Sequence, residues 1–389
     1  MIEVKAKLIR GSVFLIGETV ECYITFSNPP IPNYQTSQSH DDSFESLAWA
    51  SAQIDCLCTT DGKIGKNPLG ATKPKTNSET SLTPCDESGY IEVATKPVIL
   101  FCDLRLSPGE TKSFLYQEVL PNDGPPSYRG QAIKYSYKIT IGTQRVNSPI
   151  KLLRVPLKIL PLSISGLTDA AGLLCNDTTE ELTPTNPFLE TKPTETPLEL
   201  ALQSLQNITA RRQPNFYMIS NTRGKVGRFC LFKNAYKLGE DIVGTFDFSI
   251  ATVSCVQLSV SLQCEEVTTV ESKNNKEPSK RSRIITFNKH HEVCLGLKHS
   301  QLILPVPLHV TPAFSTPLVT LKWRLHFEFV TSTSKQLIPP GLDQCGWQGP
   351  SELPIETMVW SLPVRIFSTT PLQVSLALQA ATEHSLIIR

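Results

Sequence analysis

Two stretches of the chain alternate apolar and polar residues with a period of two, and this pattern restricts the fold most. From Lys134 to Ile141, Tyr135, Tyr137, Ile139 and Ile141 alternate with Lys134, Ser136, Lys138 and Thr140. Later, Leu321, Trp323, Leu325, Phe327 and Phe329 alternate with Lys322, Arg324, His326 and Glu328. In an extended chain successive side chains point to opposite faces, so each stretch has one dry face and one wet face. A helix would bury a stripe of period 3.6 instead. Both stretches therefore predict core strands of antiparallel sheets. Thirty prolines against three methionines point the same way, since proline breaks helix interiors but suits turns and sheet edges.

The two strands belong to an internal repeat. Phe14-Leu15-Ile16-Gly17-Glu18-Thr19-Val20 is echoed by Tyr236-Lys237-Leu238-Gly239-Glu240-Asp241-Ile242. Pro126-Ser127-Tyr128 precedes the first strand as Pro312-Ala313-Phe314 precedes the second. Each half closes on a proline-bearing strand, Val155-Pro156-Leu157-Lys158-Ile159 and Leu362-Pro363-Val364-Arg365-Ile366. Three landmarks in one order predict two domains of one fold, residues 1–160 and 214–368. Residues 161–213 read as a polar linker, rich in Thr, Pro and Glu around 180–187 and unable to bury a core. At its end Thr196-Pro197 opens a short helix. Leu198, Ala201, Leu202, Leu205 and Ile208 share one face of it, ending near Arg211-Arg212. That face could dock on a domain, or enter a partner groove or membrane interface. Residues 33–46, 59–89, 268–292 and 333–354 read as polar loops, and 369–389 as a flexible tail.

A formal net charge of +1 gives no global field that selects nucleic acid. No apolar run approaches the ~18 residues that span a bilayer. The N-terminal residues enter a strand pattern at once, which predicts a cytosolic chain without a secretory leader. Its eleven cysteines are then expected to be reduced thiols, with Cys22, Cys230 and Cys264 packed in strands.

The sequence shows no phosphate loop, dinucleotide fingerprint or serine elbow, so no catalytic residue is assigned and no cofactor is expected. Glu18 and Glu240 follow turn glycines and suit strand capping better than acid–base work. Cys56-Leu57-Cys58 lacks the spacing of a zinc knuckle. His290, His291 and Cys294 lie close in sequence, but no fourth ligand is evident, so no metal site is assigned. Pro125-Pro126-Ser127-Tyr128 matches the PPxY pattern that WW domains read. It runs straight into the Tyr135 strand, and Phe314 holds the equivalent place in the second half, so Tyr128 is expected to pack at a sandwich edge.

Ser107-Pro108-Gly109-Glu110, Val119-Leu120-Pro121, Pro125-Pro126-Ser127-Tyr128 and Ile133 to Ile139 together resemble the N-domain signature of the arrestin clan. More closely, Leu47 to Ile54, Ile99 to Leu106, Gln144 to Ile150 and Leu321 to Phe329 resemble the Rgp-one family, the arrestin-like subunit of the Ric–Rgp complex. The resemblance implies an all-β fold of two arrestin-like sandwiches and a non-catalytic role. It further implies a large Ric-type partner subunit and guanine-nucleotide exchange on a Golgi Rab GTPase of the Rab-six class. Recruitment to Golgi membranes and work in endosome-to-Golgi retrograde transport would follow. Within the clan, a ubiquitin-ligase adaptor of the α-arrestin kind or a coat or retromer-like scaffold are the other readings. Which surface binds a partner is left open by the sequence.

Overall fold

The computed structural model describes residues 1–30, 44–60, 82, 89–162, 197–270, 279–334, 351–379 and 381–388. The fold is all-β, as expected, with two short helices among the described residues. In the first half, β1 (Ile2–Leu8), β3 (Thr19–Ser27) and β7 (Thr111–Val119) form one sheet. The facing sheet runs β2 (Val13–Leu15), β10 (Lys151–Leu160), β9 (Ile133–Gln144), β4 (Glu45–Thr60) and β5 (Gly89–Ala94). Off this path, β6 (Val98–Leu106) pairs with β4 and β8 (Tyr128–Arg129) with β9.

The second half repeats this plan. Its first sheet runs β11 (Asn215–Asn221), β12 (Gly224–Leu231), β14 (Asp241–Asp247) and β17 (His299–Pro305). The second runs β13 (Ala235–Lys237), β20 (Glu356–Phe367), β19 (Val319–Ser332), β15 (Ser254–Val270) and β16 (Ser279–Val293), with β18 (Phe314–Ser315) on β19. The alternating residues lie as the pattern dictates. Tyr135, Tyr137, Ile139 and Ile141 are buried, as are Leu321, Trp323, Leu325, Phe327 and Phe329.

The repeated Gly-Glu landmark is a strand-end turn. Gly17 and Gly239 both have φ of +82°, a conformation open to glycine and costly for residues with a Cβ. The following carboxylate folds back on the turn. Glu18 Oε2 accepts the Leu15 N–H at 2.8 Å, and Glu240 Oε2 accepts the Lys237 N–H at 2.9 Å. Ser107–Glu110 repeats the device at 2.8 Å. These carboxylates cap backbone donors. The closing prolines also gain a reason: β10 and β20 pair on one side along their length, but on the other only β2 and β13 meet their last residues. Proline lacks the N–H that an incoming strand would need, and edges tolerate it.

Two sequence expectations need correction. The segment 268–292, read as a loop, is mostly strand: β15 runs to Val270 and β16 begins at Ser279. As an edge strand with little burial, β16 keeps Lys280, Arg281, Arg283 and Lys289 in solvent and so lacks an apolar alternation. The expected tail after 368 is also ordered. α2 (Pro371–Leu378) sets Val374 into the first half beside β2, and β21 (Glu383–Ile388) pairs antiparallel with β1. β21 takes the place beside β1 that β11 takes beside β12. In the first half a strand from the far end of the sequence fills this position.

α1 (Pro197–Ala210) is the expected linker helix, and its Ala201 and Leu205 pack on Leu162 and Phe367. The Lys233 ammonium donates to the Thr209 carbonyl at 3.1 Å, anchoring the last turn to the second half. The docked reading of this helix holds for these residues. The Thr-Pro-Glu segment 180–187 and the tips of the expected loops at 31–43, 61–81 and 335–350 lie outside the described residues.

Candidate partner-binding surface

The residues singled out for chemistry do not converge. His291 lies opposite Ser259 and accepts from or donates to its hydroxyl at 2.8 Å, while the adjacent His290 lies opposite Val260. Consecutive strand residues face opposite sides of a sheet, so the two rings diverge. Cys294 is buried beside Cys255. Among the described residues no three His, Cys, Asp or Glu side chains surround a common point. Cys56 and Cys58 are buried in β4. Burial pushes the Cys58 thiol up to about 11 and those of Cys22 and Cys264 up to about 12, which suppresses the reactive thiolate.

The PPxY segment is packed, as expected. Pro125, Pro126 and Tyr128 are buried, and the Tyr128 ring meets Phe314 edge-on at 5.2 Å between centroids. The equivalent landmarks of the two halves therefore touch at their junction.

What the described surface offers is edges and faces. A free sheet edge carries unpaired N–H and C=O groups, and proteins blunt such edges with charges or proline. Every described edge strand longer than three residues carries a charged residue, histidine or proline, with one exception. That exception is β11, Asn-Phe-Tyr-Met-Ile-Ser-Asn.

The outer face beside this edge carries several exposed apolar side chains. Register places Phe216, Cys230, Thr245 and Gln301 in one row across the sheet. Val243 and Ile303 are neighbours in the next row, where the Phe232 N–H reaches the Val243 carbonyl. Phe216 is 65% exposed, Ile303 55%, Met218 53% and Val243 37%. The row bearing Met218 continues through Arg228, Asp247 and His299. Arg228 pairs with Asp247 at 2.9 Å, and its guanidinium lies 5.6 Å from the Phe216 ring centre. Aromatic, methionine and arginine side chains with a polar rim are the composition of a protein interface. Exposed large apolar side chains grouped on one face in this way are a feature of interaction sites. Nothing local in the sequence marks it, because an edge is defined by which strand is absent beside it.

The Rgp1 family model matches residues 92–172 and 175–332. The chain belongs to the Rgp1 family. This agrees with the Rgp-one resemblance read from the sequence. A human protein named RAB6A-GEF complex partner protein 2 is 44% identical over 402 aligned residues, covering 100% of both chains. A Bos taurus protein of the same name is 46% identical, covering 94% of this chain and 93% of its own. An Rgp1-family chain thus presents, in its second half, an edge strand without charge or proline beside exposed apolar side chains.

Proposed function

We propose that this chain is the non-catalytic scaffold and recognition subunit of a heterodimeric guanine-nucleotide exchange factor for a Rab GTPase of the Rab-six class. The observation that carries this reading is the end-to-end similarity to proteins named as partners in a RAB6A-GEF complex. In this reading the chain is two arrestin-like sandwich domains, residues 1–160 and 214–368. It is cytosolic, is recruited peripherally to Golgi membranes with a large Ric-type subunit, and serves endosome-to-Golgi retrograde transport.

Exchange breaks no covalent bond. It favours a GTPase conformation that holds Mg²⁺ and nucleotide poorly, so nucleotide leaves faster. A chain of faces and edges suits the task of holding the large subunit and selecting the GTPase. We assign the β11 edge and the Phe216–Met218–Ile303 face to the large subunit, which adds a strand at the edge and covers the apolar face. The large subunit then provides the surface that opens the nucleotide site.

Fluorescent-GDP release from the purified Rab tests this division. The complex should accelerate release while this chain alone leaves it at the intrinsic rate. Equal acceleration by this chain alone would overturn it.

A further inference from the structure

Where the two halves meet, β8, β9 and β10 face β15, β16, β19 and residues 309–311 across a cleft of about 520 Å³. This lies in the range of roughly 300–1,000 Å³ typical of sites for small organic ligands. One wall is aromatic, with Phe287 and Trp323 at 5.1 Å between ring centres. The opposite wall sets three cations among Tyr128, Tyr135 and Tyr137. Arg129 lies directly across from Lys134 in the β8–β9 pair, and β10 adds Lys158.

No aspartate or glutamate lines the cleft among the described residues, and none lies within ion-pair distance of these three cations. The Lys158 ammonium donates to the His309 carbonyl at 3.2 Å across the junction. Burial holds its pKa below the usual lysine value. Like charges directly opposite each other on paired strands are destabilising, and a half-buried cation without a counter-charge costs more. A chain with a formal net charge of +1 nevertheless concentrates three cations at one apolar cleft.

We propose that this cleft binds a phosphate ester whose body presents C–H groups to the aromatic wall. The phosphate sits among Arg129, Lys134 and Lys158, and the body lies against Phe287 and Trp323. A phosphate monoester carries about two negative charges at neutral pH and several acceptor oxygens, so it matches a guanidinium with two ammonium groups better than a single carboxylate does. The ligand is either the headgroup of a phosphorylated lipid or a soluble phosphate ester. The site is remote in sequence from β11, and the proposal does not rest on the identity of the partner subunit.

The test uses the full chain and three probes. They are phosphatidylcholine vesicles with and without phosphatidylinositol monophosphate, the soluble inositol bisphosphate headgroup, and a glutamate-rich peptide. Binding of the soluble headgroup should weaken about tenfold or more in Lys158→Met, and further in Arg129→Ala with Lys134→Ala. Lys158→Met keeps the apolar stem, removes a desolvated charge and gives up the bond to the His309 carbonyl, so its melting temperature without ligand should change little, and the headgroup should raise the wild-type melting temperature more than the variant's. Headgroup binding matched by phosphoinositide-dependent vesicle binding identifies a lipid ligand, and headgroup binding alone identifies a soluble one. Headgroup affinity unchanged by the substitutions, no headgroup binding, or the peptide competing at equal affinity would each overturn the proposal.

Discussion

Tyr128 shows how one residue can look functional in sequence and prove structural. Its ring closes the junction against Phe314, and its phenol lies beside the buried carboxylate of Glu266. Tyr128→Ala should cost roughly 3–5 kcal/mol, as for other large-to-small core changes. Tyr128→Phe keeps the packing and removes only the hydroxyl beside Glu266, so it should cost less, about 1 kcal/mol. Denaturant melts of the two variants check this, and equal melts would deny the packing role. The capping carboxylates predict a pH response. The Ser107 N–H holds the Glu110 carboxyl below its usual range, and the Ser249 hydroxyl and N–H with Arg228 do the same for Asp247. A lowered folded pKa stabilises above the unfolded value, and that contribution is lost as pH falls through the folded one. Burial raises Asp55 and Glu118, whose contributions run the other way. Melting temperature should therefore drop more steeply below about pH 4 in wild type than in Glu110→Gln.

At the scale of elements, the sequence was legible wherever burial has a local period. β9 and β19 could be read because each is wet on one face and dry on the other. The Gly-Glu turns and the docking stripe of α1 could be read because a turn and a helix face are set by near neighbours. β16 was missed because an edge strand with charged residues on both faces has no apolar alternation. β21 was missed for a different reason. It is six residues long, and its partner β1 lies at the opposite end of the chain, so no local pattern announces the pairing. Its contribution can be measured. Truncation after Thr370 removes the buried Val374 and Ile388 and bares the β1 edge. The loss should be roughly 3–6 kcal/mol from burial alone, with self-association through β1. A truncated chain that stays monomeric with an unchanged melt would contradict this.

At the scale of the molecule, the two halves repeat one plan but differ at equivalent edges. In the first half the position beside β1 is filled by β21, which carries Glu383 and His384. In the second half the same position is β11, without charge or proline and next to an exposed apolar face. None of this asymmetry was legible in the sequence, since it depends on how both ends of the chain return to the sheets. It leaves one side of the repeated sandwich open, the side that the proposed function assigns to the large subunit. Phe216→Lys with Met218→Lys tests this most directly, because both side chains are exposed and the fold should tolerate the change. The account predicts an unchanged melt and at least about a tenfold loss in affinity for the proposed large subunit. Full retention of that subunit by the double variant would contradict it.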